Sequence, residues 1–388
     1  MSSISFVPIP IFYCLKAALS IIIFISSQAV YIKRALCVYN IAMKKIMFCG
    51  GGSAGHVTPN LAICSELEGK AELCYLGTDG IEKTLCEKAG IRFITYNAVK
   101  FARGKILCNL AIPFRLAKSL AQCKDILRRE KPDLLFCKGG YVSLAPALAA
   151  SRLKIPVITH ESDLSAGLAN KLIARKCRRI LTTFPQTAEK FRNGVCTGSP
   201  IRSSLMGRDK LKCKRELGLD MRPTILVFGG GSGSKKINDC LNARLSVLCR
   251  KYNVIHLCGK GNKKDRDERG LIALEFADDM GLIYAASDYA VSRCGSNAAN
   301  ELISLKIPTL FIPLENSSSR GDQVENAEYF KAKGLCRILR EGDLTADSLI
   351  EEIENLIADD NLKAALGRYT PMCGNANILR EINSAIRQ

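Results

Sequence analysis

The sequence predicts an α/β chain of two doubly wound domains, each a parallel sheet covered by helices on both faces, turned toward a shared central cleft. Three observations predict it. Short apolar runs, KIMFC, AELCYLG, IRFITY, DLLFCKGG, IPVITHE and RRILTTF, alternate with amphipathic stretches such as NLAIPFRLAKSLAQCKDILRRE, the rhythm of a parallel sheet. The rhythm starts again after the polar stretch KRELGLDMRPT, with TILVFGGG, NVIHLCGKG, ALEFADD, DYAVSRCG and IPTLFIP as strands. Finally, IMFCGGGSAG at Ile46 to Gly55 matches ILVFGGGSGS at Ile225 to Ser234, the same strand and glycine turn displaced by 179 positions (46 to 225). Ligands of such sheets bind beyond the carboxyl ends of the strands, where these turns lie, so two facing copies enclose a cleft.

The 388 residues suit two domains of ordinary size. Their expected bounds are 43–202 and 224–372, with a linker over 203–223; the last segment, 373–388, is a helix that can pack back on the first domain. Ahead of them stand 42 residues, mostly apolar from position 4 to 32 but broken by Pro8, Pro10 and Lys16. The longest uncharged run, Ala17 to Ile32, has 16 residues, short of the roughly 20 that span a bilayer. No basic residue precedes Lys16, which is poor for a signal peptide, and Lys33 and Arg34 after the run would hold the rest in the cytoplasm. A weak anchor and an over-long start both stay open. The favoured expectation is that Met43 is the true first residue.

Hydrophobic residues make up 47% and charged residues 24%, which excludes disordered and fibrous classes. The formal net charge of +19 favours anionic partners, phosphates or acidic lipid, unless it is only a basic solubilising surface. A nucleic-acid partner is not expected, because there is no Trp and the aromatics are scattered. The 18 cysteines are spread along the chain without a CxxC pair. They read as small buried hydrophobes in a reducing compartment rather than as disulfides or metal ligands.

Gly50, Gly52 and Gly55 satisfy GxGxxG directly after a strand, a pattern that lets backbone N–H groups approach a phosphate. A dinucleotide site also wants an acidic residue at the end of the second strand, and the nearest, Asp79, lies past it. The second turn, GGGSGSKK, is not a nucleotide triphosphate loop, because Ser234 replaces the last glycine and Lys236 the Ser/Thr. His56, one of three histidines with His160 and His256, follows the first turn at a helix start. There it can take a proton from a substrate hydroxyl or serve only as a hydrogen-bonding cap.

Five stretches in register, GGGSAGHVTPNLAI, KGGYVSLAPALAA, IPVITHESDLSAGLANK, GSPIR and SRCGSNAANELISLKIPTLFIPLENSSSRGDQVENA, carry a resemblance. From about Met43 to its end the chain resembles the bacterial glycosyltransferases of the MurG type, glycosyltransferase family 28 with the GT-B fold, two Rossmann-like domains facing a central cleft. The resemblance implies inverting transfer of GlcNAc from UDP-GlcNAc to the 4-hydroxyl of MurNAc on lipid I, giving lipid II. It implies no cofactor and no metal, with backbone N–H groups and helix N-termini stabilising the departing diphosphate. His56 would be the catalytic base. Gly231 and Ser232, with Ser296, Asn297 and Ala298 at a helix start, would hold the phosphates and the sugar. Glu301 would accept both ribose hydroxyls, Asp322 and Gln323 would read the GlcNAc hydroxyls, Ala277 would lie against the uracil, and Arg202 would line the same cleft. The turn of Gly51 and Gly52 with Ser53, Ala54 and Gly55, and the turn of Gly139, Gly140 and Tyr141, resemble the two phosphate-binding loops that face the lipid pyrophosphate. Ser53, Ala54, Gly55 and Asp163 would also meet the donor, and His160 and Glu161 would shape the site.

A lipid-linked acceptor implies a peripheral protein on the cytoplasmic face of the cell membrane, bound to an anionic phospholipid surface and working beside other cell-wall synthesis proteins. Ile106 to Lys118, preceded by Lys100, Arg103 and Lys105, fits the family's apolar patch ringed by basic residues, or else is an ordinary core-facing helix. Three departures bear on the donor sugar: Ser232 stands where many relatives carry glutamine, Asp163 where the family has asparagine, and the NSSSRGDQ loop is longer. A glycolipid synthase with a diacylglycerol acceptor would share fold and motifs. A dinucleotide-dependent oxidoreductase would leave the second domain's Glu301 helix unexplained, and the intact His56, Glu301 and Gln323 speak against a non-catalytic scaffold.

Overall fold

Two parallel sheets, each with its own core, make up the chain from Lys45 onward, which is one unit, Lys45–Gln388. The structure is a computed structural model and describes residues 43–100, 112–315, 320–372 and 374–387. The 1–42 extension and residues 106–111 of the Ile106 to Lys118 patch, with Arg103 and Lys105 ahead of it, lie outside these residues.

The first sheet has strands β1 (Lys45–Cys49), β2 (Glu72–Gly77), β3 (Arg92–Thr95), β4 (Leu134–Cys137), β5 (Val157–Glu161), β6 (Arg179–Thr182) and β7 (Gly194–Cys196), in the order β3-β2-β1-β4-β5-β6-β7. The second has β8 (Thr224–Phe228), β9 (Asn253–Leu257), β10 (Leu271–Leu274), β11 (Tyr289–Ser292), β12 (Thr309–Phe311) and β13 (Arg337–Ile338), in the order β10-β9-β8-β11-β12-β13. Every pairing is parallel. In both sheets the order reverses beside the first strand, between β1 and β4 and between β8 and β11. Those switch points are where doubly wound sheets bind ligands.

The helices of the first lobe are α1 (Thr58–Leu67), α2 (Ile81–Lys88), α3 (Ile112–Glu130), α4 (Tyr141–Arg152), α5 (Leu168–Ala174) and α6 (Pro185–Ala188). Then come α7 (Lys210–Glu216), α8 (Lys235–Lys251), α9 (Met280–Ala286), α10 (Ser296–Ser304), α11 (Asp322–Lys331), α12 (Ala346–Ala358), α13 (Asp360–Arg368) and α14 (Gly374–Ile386). Strand alternation divides the first lobe's core in two. Met47, Cys49, Leu135 and Cys137 face the side covered by α3 and α4, whereas Ile46, Phe48, Leu134 and Phe136 face α1 and α14. The final helix therefore buries Ile378, Ile382 and Ala385 against the first sheet.

The expected strands are found, with three differences. Strands β7 and β13 escape the sequence reading because edge strands of three and two residues carry too little pattern. Strand β10 ends at Leu274, so the EFADD stretch is a loop, not a strand. His56 does not begin the helix: it closes a 3-10 turn, Ala54–His56, and α1 begins at Thr58 with Pro59 in its first turn. The described cysteines are free thiols, most of them buried, as small apolar residues would be. Among the described residues, no helix is long and apolar enough to cross a membrane.

Because Ile382 is fully buried in that core, Ile382→Ala should cost about 2–5 kcal/mol and lower the urea midpoint accordingly; an unchanged midpoint would show the helix undocked.

Candidate active site

Both switch points open onto glycine turns, and the geometry there is tight. Gly52 has φ +82, and a Cβ on it would stand 2.6 Å from the ring of Tyr141, so the first turn fits against the second only without a side chain. Gly140, at φ +74, lies against the imidazole of His56: an added Cβ would come within 3.2 Å of Cδ2 and 3.4 Å of Nε2. His56 Nδ1 is 3.2 Å from the carbonyl oxygen of Lys138. A carbonyl only accepts, so Nδ1 carries the proton and Nε2 keeps a lone pair beside the second glycine turn. Burial and then the Lys138 ammonium lower the His56 pKa, with the Glu161 carboxylate opposing them. The ring is thus held in its neutral form, with Nε2 open to accept a proton.

Around it stand residues the sequence reading named and others it did not. Glu161 accepts from the N–H groups of Asp163 at 3.0 Å and Gly167 at 2.9 Å and from Asn170 at 2.9 Å, so it shapes the loop after β5. His160 donates from Nε2 to the Gly198 carbonyl, 3.0 Å, and burial keeps it neutral, far below the ordinary histidine range. His256, paired with Asn238 and pushed down to about 4 by burial, belongs to the second lobe's core. Gly52 N–H, expected to face a phosphate, donates 3.2 Å to the buried carboxylate of Glu82, which Thr78 also satisfies. Glu82 was invisible in the sequence, one acidic residue in a polar helix start.

The second lobe meets this site through the N-terminus of α10. Asn297 Nδ2 donates to the Gly55 carbonyl at 2.6 Å and its Oδ1 accepts from Ser162 Oγ at 3.2 Å, while Ser296 Oγ donates to the Ser162 carbonyl. Two of the departures also meet here. Asp163 Oδ2 pairs with Arg320 Nη2 at 2.8 Å, and its Oδ1 accepts from Asn326 at 3.1 Å. Arg320, just ahead of α11, also pairs with Asp322 at 3.3 Å. Burial and the carboxylates of Glu161 and Asp322 push the Asp163 carboxyl up to about 6, against Asn326 and Arg320.

Farther along α10, Glu301 accepts from Tyr284 OH at 3.0 Å and lies 3.6 Å from Arg202 Nη2. Burial raises its pKa and Arg202 opposes this. Gln323 Oε1 accepts from Leu314 N–H at 3.0 Å. Ala298 packs on the second lobe's core, Ala277 is buried after β10 beside an exposed Phe276, and Gly231 and Ser232 are exposed in the turn after β8. Among the described residues, hydrogen bonds tie Ser296 and Asn297 to the first lobe but not Gly231, Ser232 or Ala277. The turn after β8 is steadied by Arg293, whose Nη2 donates to Ser234 Oγ at 2.9 Å and to Glu341, and whose Nη1 donates to the Ile312 carbonyl at 3.0 Å. Lysine at the end of an apolar strand, in DLLFCKGG, was the one signal pointing to Lys138. Among the described residues, no group of three or more His, Cys, Asp or Glu is placed to hold a metal ion.

The glycosyltransferase family 28 N-terminal domain matches residues 46–182 and its C-terminal domain residues 224–369. The chain belongs to glycosyltransferase family 28. A Clostridium botulinum relative named UDP-N-acetylglucosamine--N-acetylmuramyl-(pentapeptide) pyrophosphoryl-undecaprenol N-acetylglucosamine transferase is 41% identical over 82% of this chain and 93% of its own length. Relatives of that name from Lachnospira eligens (42%, 82% and 92%) and, as transferase 2, from Bacillus anthracis (40%, 88% and 100%) are similar. The fold is shared with Acinetobacter baumannii MurG (TM-score 0.67, 22% identity, 88% of this chain and 99% of that one). It is shared equally with the calicheamicin glycosyltransferase CalG4 (TM-score 0.67, 16%, 90% and 99%). The family fold is thus GT-B, and its two domains match the two sheets.

Gly140→Ala should destabilise this family 28 enzyme by roughly 1–3 kcal/mol through its positive φ, and should also displace the His56 ring. A fall in melting temperature together with lost activity checks it.

Proposed function

We propose that this enzyme transfers N-acetylglucosamine from UDP-GlcNAc to the 4-hydroxyl of MurNAc on undecaprenyl-pyrophosphoryl-MurNAc-pentapeptide, lipid I, giving lipid II. The observation that carries the reading is the junction of Asn297 with Gly55, which sets the N-terminus of α10 against the turn bearing His56. The relatives' shared name supports the substrates.

In this scheme His56 Nε2 takes the proton of the 4-hydroxyl as that oxygen attacks the anomeric carbon. The bond from that carbon to the diphosphate breaks, UDP leaves and the configuration inverts. Charge builds on the departing phosphate, and helix N-termini with the exposed turn at Gly231 and Ser232 are suited to stabilise it. Glu301 would exchange part of its pairing with Arg202 and Tyr284 for the ribose hydroxyls, and Asp322 and Gln323 would read the sugar. Phe276 offers an apolar ring beside Ala277 for the uracil. Gly139, Gly140 and Tyr141 would meet the acceptor pyrophosphate near Nε2; Gly52 could join them only by releasing Glu82. No cofactor is proposed.

With a lipid-anchored acceptor the enzyme would work at the membrane surface as a peripheral protein, on its cytoplasmic face. In the described part of the expected patch, Phe114 on α3 is 82% exposed, with Arg115 and Lys118 on the same helix. Such a surface suits anionic headgroups.

UDP release by the full chain, given UDP-GlcNAc with a short-chain lipid I analogue or with diacylglycerol, should occur with the first acceptor alone. Release only with diacylglycerol would overturn the pathway. His56→Ala should lower turnover about 10²–10⁴-fold while sparing UDP binding. Because His56 is held below its usual pKa, its neutral form persists into acid, so the acid limb of kcat/KM should lie below pH 6.5. Glu301→Ala should raise the KM for UDP-GlcNAc. Phe114→Ser should weaken sedimentation with anionic vesicles, and unchanged binding would move the membrane surface elsewhere.

A further inference from the structure

One buried cation takes no part in this scheme. Lys138, at the end of β4, is only 2% exposed. Its Nζ lies 2.7 Å from His160 Nδ1, which accepts because the ring's other nitrogen donates to Gly198. It also donates to Ser162 Oγ, whose own proton goes to Asn297 Oδ1 at 3.2 Å. Asn297 donates to the carbonyl of Gly55, the neighbour of His56, and His56 Nδ1 donates back to the Lys138 carbonyl. The bonds close a circuit that passes from the first lobe to the second at Ser162 and returns at Gly55.

We propose that Lys138 is a positioning residue for the transfer: through Ser162 it holds Asn297, and with it the N-terminus of α10, at the separation from His56 that the reaction needs. The inference rests on the transferase reading above. An ammonium suits this place because it donates to two acceptors at once, whereas an apolar side chain would leave His160 Nδ1 and the Ser162 hydroxyl without a donor in a buried site.

The charges around it agree. Burial pushes Lys138 down to about 7, and the Glu161 and Asp163 carboxylates pull it back. His160 beside it is neutral. His56 feels Lys138 and Arg320, which lower its pKa, and Glu161, which raises it. Removing the ammonium should therefore raise the His56 pKa and move the acid limb of kcat/KM to higher pH.

The test uses the full chain with Lys138→Met, Lys138→Gln, Ser162→Ala and the Lys138→Met/Ser162→Ala pair, UDP binding serving as the check of folding. Lys138→Met should lower kcat about tenfold or more, with KM for UDP-GlcNAc changed less than about twofold, and should shift the acid limb upward. Lys138→Gln, which still donates, should recover part of kcat. Adding Ser162→Ala to Lys138→Met should cost nothing further, because both cut one circuit. Folded variants with wild-type kcat, or losses that multiply in the pair, would overturn the proposal. If Lys138→Met does not fold, Lys138→Gln and Ser162→Ala decide by the same criterion. If the wild type turns over neither acceptor, the transferase reading falls by itself. The positioning role is then read from the Asn297 side-chain amide, whose hydrogen exchange Lys138→Gln should speed about tenfold, unchanged exchange overturning it.

Discussion

The site depends on one constraint: two parallel sheets must present their carboxyl ends to each other closely enough for an asparagine on one lobe to reach a carbonyl on the other. The bond from Asn297 to Gly55, 2.6 Å, is that reach. A single hydrogen bond of this kind contributes only about 0.5–1.5 kcal/mol. It matters because Ser162, Asp163, Asn326 and Arg320 add bonds across the same seam, and because the seam lies at the switch points of both sheets.

Burying so many ionisable groups in one place is costly unless each is paired. The pairings explain the division of labour among the histidines. His160 spends both nitrogens, on Gly198 and Lys138, and is fixed. His56 spends only Nδ1, which leaves Nε2 as the nitrogen able to work. Asp163 is tied to Arg320, and Arg320 to Asp322, so the stretch expected to read the donor sugar is electrostatically linked to the loop after β5.

Fold and activity rest on different comparisons. The likeness to solved structures, at 22% and 16% identity, establishes the two-sheet architecture, which a MurG and a calicheamicin glycosyltransferase share. The reading of lipid I as acceptor draws on relatives near 41% identity that span most of the chain, together with the placement of His56.

The sequence by itself determined the architecture, because buried parallel strands must be short apolar runs and their turns must carry glycine: KIMFC and TILVF each read as a strand, and each is one. It also marked His56 and the glycine turns as candidates, whose patterns are local, and Glu301 through the family resemblance. The tertiary structure alone decided which nitrogen of His56 is free, that Glu82 occupies the Gly52 N–H, and that Lys138 is buried at all. A lysine after an apolar strand reads the same whether it meets water or two buried acceptors. Asp163 and Arg320 are 157 residues apart, and no local pattern encodes their meeting. Hydrophobic periodicity is a property of neighbours in the chain, whereas a hydrogen-bonded circuit is a property of neighbours in space.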